Sequence, residues 1–188
     1  MIKSSKGKRF MGLPRDFLPT IRRSVAVTAL GPSSLRNQGA KGVISASREF
    51  LALLDLSTFM TADEDRFCAQ LDSTSERLRK ALPKGAQNWG ASRKALNLFL
   101  RDALYNYYLA TEYRLHRIEN WLEIPLDSAV ARGLKKLRGG ERLQEWPGLK
   151  KLTPYVSAQF QALAMDIAKS RGLARVHLDI YLWLEERR

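Results

Sequence analysis

Through most of the chain, apolar residues return every three or four positions. That spacing gives one face of an α-helix a continuous apolar stripe. Val43, Ala46, Phe50, Leu53 and Leu54 follow it. So do Leu96, Phe99, Leu100, Ala103 and Tyr107, and again Val156, Phe160, Leu163 and Ile167. Alternation of apolar and polar residues between turn signals, the mark of a strand, is hard to find. Such a chain buries its stripes by packing helix on helix. The pattern therefore predicts an all-α fold, a compact multi-helix domain of about seven short helices in one or two lobes.

Turn signals divide the chain. Residues 1–16 read as a basic N-terminal arm and 17–188 as the helical domain. Helices are expected over Phe17–Leu30, ended by Gly31-Pro32, and over Val43–Leu56 and Ala62–Leu82. The last of these opens on acids and closes on Arg79 and Lys80, as the helix dipole favours. "ARVHLDIYLWLEERR" reads as a final helix, with a short strand as the alternative. The segment from Arg93 to about Ala110 is different. It follows "NWGAS", and two cations, Arg93 and Lys94, fall in its expected first turn. Partial positive charge gathers there, so cations are disfavoured. Lys94 shares a face with Leu98, Arg101 and Tyr105, opposite the apolar stripe.

Charge is the strongest global signal. Lysine and arginine number 32 against 19 acids, for a net charge of +13. The excess gathers at Met1–Arg23, with seven cations and one acid, and at Arg132–Lys151, with seven cations and two acids. A domain this basic usually meets a polyanion. Cys68 is the single cysteine, and His116 and His177 are the two histidines. An intramolecular disulfide is excluded, and neither a metal site nor a cofactor is expected. No apolar run has the length of a membrane span, and the basic N-terminus lacks the apolar core of a signal peptide. A cytoplasmic monomer is the expectation.

Three motifs in order carry a candidate chemistry: "GASRK", with Lys94; "PLD", with Asp127 at a helix start; and "YVSAQF", with Gln159 and Phe160 on a later helix. Together they resemble the helix-hairpin-helix DNA glycosylases, and within them the 8-oxoguanine glycosylases, including the archaeal type. The resemblance spans residues 87–169. It implies a glycosylase-like fold and a partner in double-stranded DNA carrying a damaged base. It places Lys94 as nucleophile and Asp127 as catalytic aspartate. Gln159, Phe160 and Trp89 become the base pocket. Gly90, Ser92, Arg93, Arg101, Arg36, Lys41, Arg132 and Lys135 are expected along the DNA backbone. Ser92 stands where the common hairpin has its second glycine. The long interval from Lys94 to Asp127 is similar to the archaeal branch.

The chemistry suits those residue types. A lysine nucleophile must shed its proton, which burial and nearby positive charge favour. Cleaving an N-glycosidic bond builds positive charge on the sugar, which a fixed carboxylate stabilises. A base must leave the stack to be reached, and an aromatic face with an amide suits its pocket. Each residue alone also has an ordinary role: Lys94 at a helix start, Asp127 as a cap, Gln159 on a surface, Phe160 and Cys68 in a core. His177 reads as packed or capping, with Asp179 a second candidate carboxylate. The tryptophans read as core, with Trp89 able to line a pocket. Two rival functions fit the same charge: a non-catalytic DNA- or RNA-binding module, and a basic adaptor for an acidic protein. The enzyme reading requires Lys94 and Asp127 to share a cleft.

Overall fold

The structure, a computed structural model, describes residues 12–39 and 41–185. Most of the predicted N-terminal arm lies outside them. The described chain is helical: α1 Phe17–Ala29, α2 Val43–Leu53, α3 Glu64–Ala81, α4 Trp89–Tyr105, α5 Tyr107–Glu112, α6 Ser128–Lys136, α7 Pro154–Ser170 and α8 Leu178–Glu185. Short 3₁₀ turns join them, and no strand occurs among the described residues. The final segment is helical, as expected. Cys68 is exposed on α3 rather than packed in the core.

Two apolar clusters form the core. The first gathers side chains of α1–α5, such as Ala26, Leu51, Phe67, Leu96 and Phe99, and of the turns between them, such as Phe59. The second gathers those of α6–α8, such as Leu134, Phe160 and Leu182, and Ile124 from the run before α6. Helix α4 is buried from Gly90 to Leu100 on every side. A helix buried all round is a central one. Its N-terminal residue Trp89 packs on the second cluster, while Leu96 and Phe99 belong to the first. Tyr107, placed on the apolar stripe by its spacing, is instead exposed and begins α5. Asn106 ends α4 and caps α5, and this break rotates Tyr107 off the stripe.

The start of α4 differs from the expectation in a way that matters. Asn88 caps the helix, its Oδ1 accepting the Ala91 N–H at 2.8 Å. The helix therefore begins at Trp89, and Gly90 to Lys94 are helical. "GASRK" is not a turn. A turn with Gly85 at φ 87° lies just upstream, in residues 82–88 between α3 and α4. Gln87 Nε2 closes it by donating to the Leu82 carbonyl at 2.8 Å. Asn88 was hidden as a cap because Trp89, Gly90 and Ser92 read as turn residues.

Gly90 is needed for a close approach. A Cβ there would stand 2.2 Å from the Leu149 carbonyl oxygen and 2.9 Å from the Leu152 Cβ. Gly90→Ala gains helix propensity of at most about 1 kcal/mol. It must also displace a backbone carbonyl, and overpacking of that kind costs about 1–3 kcal/mol. The net expectation is a loss of about 1–2 kcal/mol, read as a lower urea midpoint. A midpoint that stays or rises shows that the 148–152 loop yields freely.

Candidate active site

Lys94 Nζ lies 3.0 Å from Asp127 Oδ2. The lysine comes from the second turn of α4 and the aspartate from the N-cap of α6. Asp127 Oδ1 accepts the Ala129 and Val130 N–H groups, each at 2.9 Å. One carboxylate oxygen is thus committed to the helix and the other to the amine. The Lys94 side chain is 9 % exposed and the Asp127 side chain 33 %. Positive potential from the helix terminus falls off within the first turn. Lys94 in the second turn is beyond it. Burial and a carboxylate partner define this lysine's setting instead.

The pair sits where two hollows meet. One, of about 520 Å³, is lined by Lys94, Leu98, Arg101 and Tyr105 of α4, by Asp127, by Asp179 and Trp183 of α8, and by the end of α1. The other, of about 420 Å³, lies between loop residues 33–38 and 146–149, with Lys94 and Asp127 again in its wall. The face of α4 carrying Lys94, Leu98, Arg101 and Tyr105 is the one its helical spacing predicts.

A second ion-pair group shares the first hollow. Arg101 pairs with Asp179, and its Nε donates to Asp102 at 2.8 Å. Burial pushes the Asp179 carboxyl above its usual pKa, with Arg101 opposing the shift and Asp127 adding to it. Tyr105, at the rim, hydrogen-bonds His177 Nδ1 at 2.8 Å, and His177 Nε2 meets Glu119 at 2.6 Å. His177 is thus a bridging histidine. In the wall of the second hollow, Gln38 Nε2 donates to the Arg36 carbonyl, while its buried Oε1 meets no hydrogen-bond donor among the described residues.

What aims Asp127 at Lys94 is the extended run 122–126 before it. Arg93 grips that run. Its Nε and Nη2 donate to the two Glu123 oxygens at 2.7 and 2.8 Å, and its Nη1 donates to Asp72 at 2.8 Å. Asn97 adds a 2.8 Å bond to Glu123. On the other side, Gln161 bonds both the N–H and the carbonyl of Ile124. Arg175 takes the Leu122 and Trp121 carbonyls. Burial works against charge on Arg93 and Glu123. Their mutual bonds outweigh it, holding the Glu123 pKa below and the Arg93 pKa above their ordinary values.

Because the Glu123 pKa is depressed on folding, its contribution is complete above its unfolded value and is lost as pH falls through the folded one. Glu123→Gln removes the bidentate partner of an arginine that is 8 % exposed and leaves it only the exposed Asp72 carboxylate. A loss of about 2–3 kcal/mol at pH 7 is expected, because the arginine charge stays buried with less compensation. The gap between variant and wild type should close in acid, measured by urea titration across pH. A gap independent of pH separates Glu123 from that linkage.

Several sequence assignments need correction. Arg93 is 7 % exposed and turned inward, so it does not face a DNA backbone. Neighbouring helix residues point about 100° apart, which sends Arg93 to Glu123 and Lys94 to the cleft. Gly90 and Ser92 are buried and equally out of reach. Phe160 is fully buried against Trp146, so it is a core residue. Gln159 lines a separate groove with Arg138 and Arg142. Trp89 lies under the Arg93 guanidinium, 5.3 Å from its ring centre, and lines neither hollow. Arg101 is in the cleft, tied to two carboxylates rather than set on the surface. Lys135 pairs with Glu145. Arg36, Lys41 and Arg132 are exposed, Arg36 at the second hollow.

Sequence reasoning did not assign Trp183, Tyr105 or Gln38 to the site. Asp179 and Trp183 stand one helical turn apart on α8, a spacing that was available as a signal. Gln38 in an irregular loop carried none. Comparison with protein-family models, curated proteins and solved structures returns no match for this chain.

Proposed function

We propose that this protein is a DNA glycosylase with lyase activity, which removes an oxidised purine such as 8-oxoguanine. The observation that carries the reading is the 3.0 Å contact between a buried lysine amine and a capping aspartate at the floor of an open cleft. The purine class rests on the resemblance of "GASRK" and "PLD" to the 8-oxoguanine glycosylases.

The Lys94 ammonium gives one proton to Asp127 Oδ2, and Asp127 passes it to the departing base, so Nζ is free to attack and Asp127 is a carboxylate again as positive charge builds on the sugar. Nζ forms a bond to C1′, the C1′–N bond breaks, and its electron pair leaves on the base. One of the two hydrogens left on Nζ then moves to the ring oxygen O4′ as the C1′–O4′ bond breaks, which leaves a protonated Schiff base. Removal of a C2′ proton then expels the 3′ phosphate by β-elimination. The two α6 N–H bonds hold Asp127 still, so its charge is in place before the reaction. The extruded base lodges in the hollow of about 520 Å³, where Trp183 and Tyr105 offer aromatic faces and Asp179 a polar contact. This pocket replaces the one expected from Gln159, Phe160 and Trp89.

The test is borohydride reduction of the wild-type protein with duplex DNA containing 8-oxoguanine. A covalent complex is expected with the lesion and none with intact duplex. Equal binding of both duplexes, with no complex across a panel of lesions, selects the non-catalytic nucleic-acid module instead.

A further inference from the structure

We infer that Glu119, His177 and Tyr105 form a hydrogen-bond relay that turns the Tyr105 oxygen into a fixed acceptor at the base pocket. The pocket then selects guanine-type over adenine-type bases and is blind to oxidation at C8. The inference rests on the glycosylase reading, which puts a base in the hollow of about 520 Å³.

The direction of the relay follows from its far end. The Glu119 carboxylate can only accept a hydrogen bond, so the His177 nitrogen 2.6 Å from it, Nε2, carries the ring proton. In the neutral ring Nδ1 is then an acceptor. The Tyr105 hydroxyl, 2.8 Å away, donates to it. Its one proton is thereby committed. Toward any other neighbour the Tyr105 oxygen can only accept. The phenol and imidazole rings stack with centroids 5.6 Å apart, which holds that bond in place. A free tyrosine hydroxyl can donate or accept, and here the choice is removed.

Tyr105 stands on the same face of α4 as Lys94, three turns on and about 16 Å along the axis. Arg101 lies between the two on that face and holds Asp179 in the same hollow. It binds Asp179 Oδ2, and Oδ1 accepts nothing from the described residues. Paired with a guanidinium, Asp179 is an acceptor as well. The end of the hollow away from Lys94 thus offers two acceptors, Tyr105 Oη and Asp179 Oδ1. With C1′ at Lys94, a purine turns toward that end the edge farthest from its glycosidic bond, which carries N1 and the groups on C2 and C6. Guanine shows two adjacent donors there, N1–H and the C2 amine. Adenine shows the N1 lone pair, which would face an oxygen. A pocket built to accept an N–H rejects the analogue that lacks it. Oxidation at C8 leaves the N1 edge of guanine unchanged. Selection against intact guanine is then made outside this hollow.

The experiment titrates the full chain with guanosine, inosine, adenosine and 8-oxoguanosine, read by ligand-observed NMR. Two hydrogen bonds separate guanosine from adenosine, so a preference of about tenfold or more is expected, with inosine, which lacks the C2 amine, in between. The affinity of 8-oxoguanosine should fall within about twofold of that of guanosine, because the same bonds are made. Adenosine binding as tightly as guanosine, 8-oxoguanosine binding about tenfold tighter than guanosine, or no measurable binding of any of the four overturns the inference.

Two variants test the relay itself. Tyr105→Phe keeps the ring and removes the acceptor. Glu119→Gln keeps the shape and frees His177 to take either tautomer. In both, the preference for guanosine should shrink to about threefold or less. Tyr155→Phe, on the exposed surface of α7, should keep it. The preference is a ratio within each variant, so partial unfolding cancels. A wild-type ratio in either relay variant rejects the relay. No covalent step occurs in this measurement. Failure of the relay therefore shows in nucleoside affinity, whereas failure of the glycosylase reading shows in borohydride capture.

Discussion

Lys94→Gln abolishes borohydride capture of lesion-containing duplex while leaving affinity for that duplex within about threefold of wild type, because phosphate contacts dominate affinity. Glutamine keeps a polar chain of similar length but cannot form a Schiff base. The substitution should also be mild for the fold. Asp127 keeps both N–H bonds from α6, and its side chain is one-third exposed, so water can take the place of the lost ammonium. A well-folded, DNA-binding, uncaptured variant is the expected result, read by gel shift and by denaturing gel after reduction. Capture at the wild-type level removes Lys94 from the chemistry.

Asp127→Asn slows base release by about 10²–10³-fold, the usual cost of deleting one electrostatic stabiliser of a transition state. Asparagine caps a helix about as well as aspartate, so α6 should start where it does now. The charge opposite Lys94 is what disappears. Here the stability cost is larger than for Lys94→Gln, since it is the buried partner that is left behind. Breaking a buried pair costs about 3–5 kcal/mol, and the exposure of Asp127 reduces that to about 1–2 kcal/mol. Single-turnover base release separates the two effects, because a merely destabilised enzyme keeps its rate below its melting temperature. A single-turnover rate equal to wild type leaves Asp127 as a cap and nothing more.

The pairing of these residues bears on how far the chain can be read. Helical spacing located the face that carries Lys94, Leu98, Arg101 and Tyr105, and the apolar positions Leu96, Phe99 and Leu100 behind it. The motif "PLD" located a cap, and Asp127 is one. The reading erred where one residue decides a boundary. Taking Trp89 to Ser92 as a turn put Lys94 in a first turn. A single hydrogen bond, from the Ala91 N–H to Asn88 Oδ1, moves the helix start back and removes that apparent electrostatic misfit.

Spacing along one helix repeats every 3.6 residues, so local sequence determined which residues share a face. It determined the all-helical class, the cap at Asp127 and the basic excess. Only the tertiary structure decided that Lys94 and Asp127 meet at 3.0 Å, that Arg93 turns to Glu123 instead of DNA, and that Phe160 is core. Those outcomes depend on how α4 crosses the 122–126 run and the loop at Leu149. Packing between segments far apart in the chain sets that crossing, and no repeat within either segment encodes it.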